Sequence, residues 1–134
     1  MTPGEQGDLA VLSGPFNTTQ LLRIDEALRV ADHSTGLTFS VYVGELEESI
    51  RDHAEKLHAQ LADPDSSVLL AVSPNQRALE IVTGYTARRR VPDRAAKLAA
   101  LSMSAAFSGG DLAGGVVAGL AQLAEQAGRQ KRKP

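Results

Sequence analysis

Cysteine is absent from this 134-residue chain, and tryptophan with it. The first absence removes disulfides, thiolate metal sites, CxxC redox chemistry and cysteine nucleophiles together. Aromatic residues make up only 4%, too few for a platform on which single-stranded nucleic acid could stack. No Lys or Arg occurs in the first 22 residues, and MTPGEQGDLAVLSGPF has no apolar run, so no secretory signal is read there. Long hydrophobic stretches are missing too. The least polar one, Leu112 to Ala124, covers 13 residues and is closed by Asp111, whereas about 20 are needed to span hydrocarbon. The expected location is therefore the cytoplasm. The phosphate-loop pattern GxxxxGKS/T and the nucleophile elbow GxSxG do not occur.

What is present fits one globular domain: 43% hydrophobic and 22% charged residues in a chain within the usual range of about 100–200 residues per domain. The net charge of −2 conceals a polarity along the chain. Residues 1–65 hold 12 Asp/Glu against 4 Lys/Arg, and residues 66–134 hold 4 against 10. The bases concentrate at Arg88, Arg89, Arg90, Arg94 and Lys97, and again at Arg129, Lys131, Arg132 and Lys133. Such clusters either remain solvated or orient a protein on an acidic partner.

Residues 1–16, with Pro3, Gly4, Gly7, Gly14 and Pro15, read as an irregular arm. Asn17 with Gln20 forms a capping box for a helix to about Asp32, whose stripe is Leu21, Ile24, Leu28 and Ala31. Gly36 ends it. Leu37 to Val43 alternates at period two, which predicts a strand with Leu37, Phe39, Val41 and Val43 on its buried face. Glu47 to Leu61 predicts a helix facing inward through Ile50, Ala54, Leu57 and Leu61, stopped by Asp63-Pro64-Asp65. Val68 to Val72 is a continuous apolar run, expected as a buried strand, and Ala78 to Tyr85 follows after a tight turn. The order strand, helix, strand implies a parallel crossover, and the short turn an antiparallel neighbour. A helix from Pro92 to about Phe107 is expected to face inward through Leu98, Leu101 and Ala105. Gly109-Gly110 breaks it and Asp111 caps a last helix with the stripe Leu112, Val116, Leu120 and Leu123. Gly115 and Gly119 in that helix suggest close packing on the sheet, and the polar residues 128–134 read as a disordered basic tail.

Candidate chemistry is sparse. His53 and His58 stand five apart on one helix, about 140° around it, so they cannot share an ion; with His33 they read as surface residues. Asp8, Asp93 and Asp111 sit at element boundaries, where an acid either ligates a hard cation or caps a helix. Arg88-Arg89-Arg90 precedes a helix start and is either a solvated loop or a clamp for an anion.

In order and spacing, Gly36–Val43, Ser67–Ser73, the strand ending in Gly84-Tyr85, Val91-Pro92-Asp93 and Phe107-x-x-Gly110-Asp111-x-x-x-Gly115 resemble the TPM-domain family. The resemblance covers roughly residues 8–127 and is nearest to an actinobacterial branch of TPM-like proteins. It implies an α/β sandwich, a small mixed β-sheet with helices on both faces, here over residues 17–127. It also implies a possible chemistry, because some TPM domains bind calcium or other divalent cations through acidic loops, and acid phosphatase activity has been attributed to the family. By position Asp8, Arg77 and Asp93 match family residues. Two departures oppose that chemistry. The turn after the second strand, often acidic in the family, is Ser73-Pro74-Asn75-Gln76, and Thr86-Ala87-Arg88 stands where Gly-Leu-Glu is usual. Arginines about 4 Å from a cation would oppose it by roughly 4 kcal/mol per charge at an effective dielectric of about 20.

The expectation is therefore a non-catalytic interaction module without cofactor or metal. Arg88, Arg89, Arg90 and Arg94 would bind a protein partner, and Arg129, Lys131, Arg132 and Lys133 an anionic membrane surface. The triple arginine run is expected to be exposed, at the edge of the family's cation cleft and without a role in stability. The resemblance suggests an accessory role with a membrane respiratory cytochrome supercomplex, on its cytoplasmic side. Nucleic acid is not an expected partner, since no aromatic alternates with the arginines. The alternative is a divalent-metal-dependent, acid-phosphatase-like hydrolase using Asp8, Asp93 and Asp111.

Overall fold

A computed structural model describes residues 15–129. Helix α1, Thr18–Thr35, opens on Asn17, whose side chain accepts from the Gln20 N–H while the Gln20 side chain accepts from the Asn17 N–H, at 2.8 and 2.9 Å. Two of the free amides at the helix start are thereby satisfied. The helix stops at Gly36, in the left-handed conformation at φ 79°. Strand β1, Thr38–Val43, follows with the expected alternation, Phe39, Val41 and Val43 being buried.

Helix α2, Ile50–Ala59, is shorter than the periodicity of 47–61 suggests. Its start is delayed because residues 45–47 bond elsewhere. The Gln76 side chain donates to the Leu46 carbonyl and accepts from the Leu46 N–H, both at 2.7 Å, and the Glu47 N–H donates to His53 Nδ1. A 3-10 turn, Pro64–Ser66, leads into β2, Ser67–Ser73, every residue of which is buried. Strand β3 is Ala78–Thr83 and not 78–85: the Gly84 N–H still bonds across to the Ser67 carbonyl at 2.9 Å, but the Gly84 carbonyl accepts from the Arg88 N–H at 2.9 Å and so opens a helical turn. Tyr85–Arg88 then forms the single turn α3, followed by α4, Asp93–Ser108, and α5, Leu112–Ala127.

The sheet order is β1-β2-β3. Strands β1 and β2 are parallel, Thr38 opposite Ser67, and β2 and β3 antiparallel, Val68 opposite Thr83. Because β2 is central and flanked on both faces, its run of apolar residues needs no alternation. Phe39, Val41, Val68, Leu70, Val72 and Ile81 face α1, α4 and α5; Phe16, just before α1, joins this larger core. Leu69, Ala71 and Val82 face α2 with Leu46 and Ala54. Helices thus cover both faces, as expected for the TPM-like α/β architecture. Arg51 fastens α2 to the outer strand, donating to Glu80 at 3.0 Å and to the Ile81 carbonyl at 3.1 Å. Among the described residues no helix is long and apolar enough to cross a membrane.

Gly84 is required by contact and not by conformation. A Cβ there would meet the Pro64 carbonyl oxygen and lie 2.7 Å from the Asp65 carbonyl carbon, both rigid backbone. Gly84→Ala is expected to destabilise the domain by about 3 kcal/mol, the upper part of the usual range for overpacking, read as a lowered urea midpoint. Asp32 makes a contrasting case. Its carboxylate accepts from the Phe39 N–H at 2.8 Å, but burial outweighs that bond and raises its pKa above 3.8. A raised carboxylate pKa means that stability is lost as pH climbs from 3.8 through the folded value. Asp32→Asn keeps the acceptor without the charge. It should raise the melting temperature at pH 7, with the advantage disappearing below pH 3.8, as followed by thermal melts across pH.

Candidate functional site

The two last helices set the surface chemistry. Gly115 and Gly119 lie on the face of α5 toward α4: a Cβ on Gly115 would stand 2.6 Å from the Phe107 ring, and one on Gly119 2.7 Å from Met103 Cγ. The close contact is helix to helix, not helix to sheet. It admits only small residues along most of the inner face of α4, which is Ala95, Ala96, Ala99 and Met103. The expected inner face, Leu98, Leu101 and Ala105, is instead turned outward. Leu98 is 51% and Leu101 69% exposed. Arg94 and Lys97 stand four residues before these leucines and therefore on the same face, and both are exposed.

The arginine run divides. Arg89 and Arg94 are exposed, with no side-chain hydrogen bond or ion pair among the described residues. Arg88 is exposed but donates to the Thr83 carbonyl at 3.1 Å. Arg90 is half-buried and fully engaged. It donates from Nη1 to the Thr35 carbonyl at 2.9 Å and from Nη2 to the Gly128 carbonyl at 2.9 Å, with longer bonds to the Ala127 carbonyl. These carbonyls end α1 and α5, where unpaired acceptors and the helix dipole favour a cation. The expectation that all three arginines are exposed is thus corrected for Arg90. Of the basic tail, Arg129 is exposed and its carbonyl lies 3.4 Å from Arg90 Nη2; Lys131, Arg132 and Lys133 lie outside the described residues.

The acids do not converge. Asp93 occupies the exposed first turn of α4, and Asp111 caps α5 by accepting from the Gly114 N–H at 2.9 Å. They stand at opposite ends of the 16-residue α4, about 24 Å apart at 1.5 Å per residue. One ion cannot bind both, since ligand distances are about 2.3–2.6 Å even for calcium. Asp8 lies outside the described residues. Among those described, no three His, Asp or Glu side chains gather as a metal site. The cavity beside the β2–β3 turn, about 380 Å³, is lined by Ser104, Phe107 and Ser108 at the far end of α4.

His33 is on the surface, as expected, but His58 is buried and its Nε2 bonds the Ser67 carbonyl at 3.0 Å. The signal for it was present: His58 lies four residues after Ala54, on the buried stripe. His53 Nδ1 accepts from the Glu47 N–H at 2.7 Å.

Fold and surface together define a TPM-like α/β domain with an exposed apolar and basic helix face. The chain belongs to the family described as "Domain of unknown function (DUF5130)", whose model matches residues 3–124. It is 35% identical over 119 residues to the uncharacterised protein Rv2468c of Mycobacterium tuberculosis, covering 89% of this chain and 71% of that protein. Its fold is similar to the BA42 protein of Bizionia argentinensis (TM-score 0.78, 17% identity, 88% of this chain and 87% of that one). It is also similar to the N-terminal domain of cg2496 from Corynebacterium glutamicum (TM-score 0.68, 17% identity, 90% and 80%).

Arg90→Met keeps the apolar stem but leaves the helix-end carbonyls without their cation. It is expected to cost about 1.5–3 kcal/mol, as for hydrogen bonds to a charged group, whereas Arg89→Met should stay within about 0.5 kcal/mol of wild type. Urea denaturation of both variants checks the difference.

Proposed function

We propose that this chain is a non-catalytic protein-interaction domain that docks through the outer face of α4 and the exposed arginines leading into it. The observation that supports this reading is the solvent-facing pair Leu98 and Leu101, flanked on the same face by Arg94 and Lys97. Two adjacent leucines left in water are a favourable source of binding energy, about 1.5–3 kcal/mol for each side chain fully buried. After Asp93 no acid occurs in α4, so beyond its first residue the helix contributes only the cations Arg94 and Lys97. A partner with an apolar patch and an acidic border is complementary to it.

In this reading Arg88, Arg89 and Arg94 supply orientation and Leu98 and Leu101 supply affinity. Arg90 belongs to the scaffold. The tail residues Arg129, Lys131, Arg132 and Lys133 add a reversible attraction to an anionic leaflet, about 1 kcal/mol per charge. In the same reading the domain works in the cytoplasm, peripheral to the inner face of the membrane. A membrane respiratory complex is the partner class that the TPM resemblance suggests. The hydrolase alternative lacks support, because its described acids Asp93 and Asp111 sit at opposite ends of α4.

The test is affinity capture from the native membrane fraction in mild detergent, with wild type beside Leu98→Ser/Leu101→Ser and Arg89→Ala/Arg94→Ala. Both double variants should keep the wild-type melting temperature. The leucine pair should weaken capture about tenfold or more, and the arginine pair should flatten its salt dependence. Equal capture by all three proteins overturns the surface assignment. Calorimetry with calcium should give no tight binding to wild type, and tight binding would restore the metal-dependent reading.

A further inference from the structure

At the end of the sheet opposite the arginine run, the carboxyl end of β2 and the turn after it meet the last turn of α4 and the start of α5. In open α/β sheets this is the edge at which ligands bind. The cavity there, about 380 Å³, is lined by the apolar side chains of Leu79, Phe107 and Leu112, by Ser104 and Ser108, and by Arg77. Arg77 is its only charged lining residue. Asp111, between two lining residues, does not itself line the cavity, and its carboxylate accepts from the Gly114 N–H.

Arg77 is unusual in its backbone. It adopts φ 53° at the end of the β2–β3 turn, the one residue other than glycine with a positive φ among those described. That region favours glycine or asparagine, and a long side chain there is strained. The turn does not need the arginine side chain, since Gln76 makes the side-chain bonds to Ser73 and to Leu46. The Arg77 guanidinium makes no hydrogen bond or ion pair to the described residues. A strained backbone therefore presents an unpaired cation to a cavity whose remaining walls are apolar or hydroxylic.

We propose that this cavity binds a small anionic amphiphile, with its carboxylate or phosphate on Arg77 and a compact apolar body against Leu79, Phe107 and Leu112. The space corresponds to about a dozen water volumes, at about 30 Å³ each, and so to a ligand of about ten non-hydrogen atoms. Ser104 and Ser108 line the same space and add hydroxyl donors, and the guanidinium offers the paired donors that oxyanions accept best. This site is independent of the outer face of α4.

The experiment follows backbone amide shifts of the full chain during titration with octanoate, octyl phosphate, octanol and octyltrimethylammonium. Either anion should produce saturable shifts at residues 77–79 and 104–112, and the ratio of their dissociation constants identifies the preferred head group. Octanol and the cation should bind at least about tenfold more weakly. Arg77→Gly should weaken binding of the anions at least about fivefold while keeping or raising the melting temperature, because glycine relieves the positive φ. Arg77→Gln, which keeps length without charge, should weaken it similarly. Equal binding of octanol and octanoate, unchanged affinity in Arg77→Gly, or shifts confined to the Leu98 and Leu101 face would each overturn the proposal.

Discussion

The approach of α4 to α5 decides more of this molecule than any other contact. Where Gly115 and Gly119 face Phe107 and Met103, a single added methyl group would intrude to within 2.6–2.7 Å of neighbouring carbons, well inside van der Waals separation. Helices that close can share only alanine-sized side chains over most of their interface. The interior therefore takes Ala95, Ala96 and Ala99 from α4 and admits Met103, whose flexible chain fills the remaining space. Leucines that a looser packing would have drawn inward are left facing solvent. The exposed face of α4 is thus a geometric consequence of two glycines on its neighbour.

A second constraint comes from backbone polar groups at the opposite ends of the chain's elements. Helices α1 and α5 end near each other, and both would present unpaired carbonyls without Arg90, which reaches Thr35, Ala127 and Gly128 at once. Ser67 performs a similar service with its own backbone. Its carbonyl accepts from both the Gly84 N–H and His58, while its hydroxyl donates to the Asp63 carbonyl. These contacts fix the connection in which Gly84 passes against Pro64 and Asp65. The Gly-Tyr step after β3 is required there because no side chain fits at its first position.

Local signals were legible in the sequence. The Asn17 and Gln20 capping box, the left-handed stop at Gly36, the alternation of β1, the unbroken apolar run of β2 and the Asp111 cap each depend on residues within a few positions of one another. Tertiary decisions were not. Both faces of α4 are apolar, and hydropathy favours Leu98 and Leu101 over alanine; only the partner helix reverses that order. Arg88, Arg89 and Arg90 are identical in composition, and nothing within the run distinguishes the one that reaches two helix ends. For His58 the helical register set by Ala54, four residues earlier, outweighs the polarity of histidine.

The separation of the molecule's two basic features follows from the length of α4. Its 16 residues place Arg89 and Arg94 near one end and Arg77 beside the other, about 24 Å apart along the axis. At physiological ionic strength charges are screened beyond about 8 Å, so the two groups do not act as a single field on one anion. The chain's basic half is consequently not one surface. Near its beginning α4 presents cations around exposed leucines, a broad and shallow arrangement that suits a macromolecular surface. Near its end a single cation stands over a cavity of about 380 Å³, which suits a small molecule. Sites this far apart, with no shared partners, contribute additively to stability and binding. What an anion does at one end is therefore energetically separate from what docks at the other, unless α4 itself moves against α5. The glycine contacts that set the outer face also oppose that movement, because Phe107 and Met103 fit where Gly115 and Gly119 carry no Cβ.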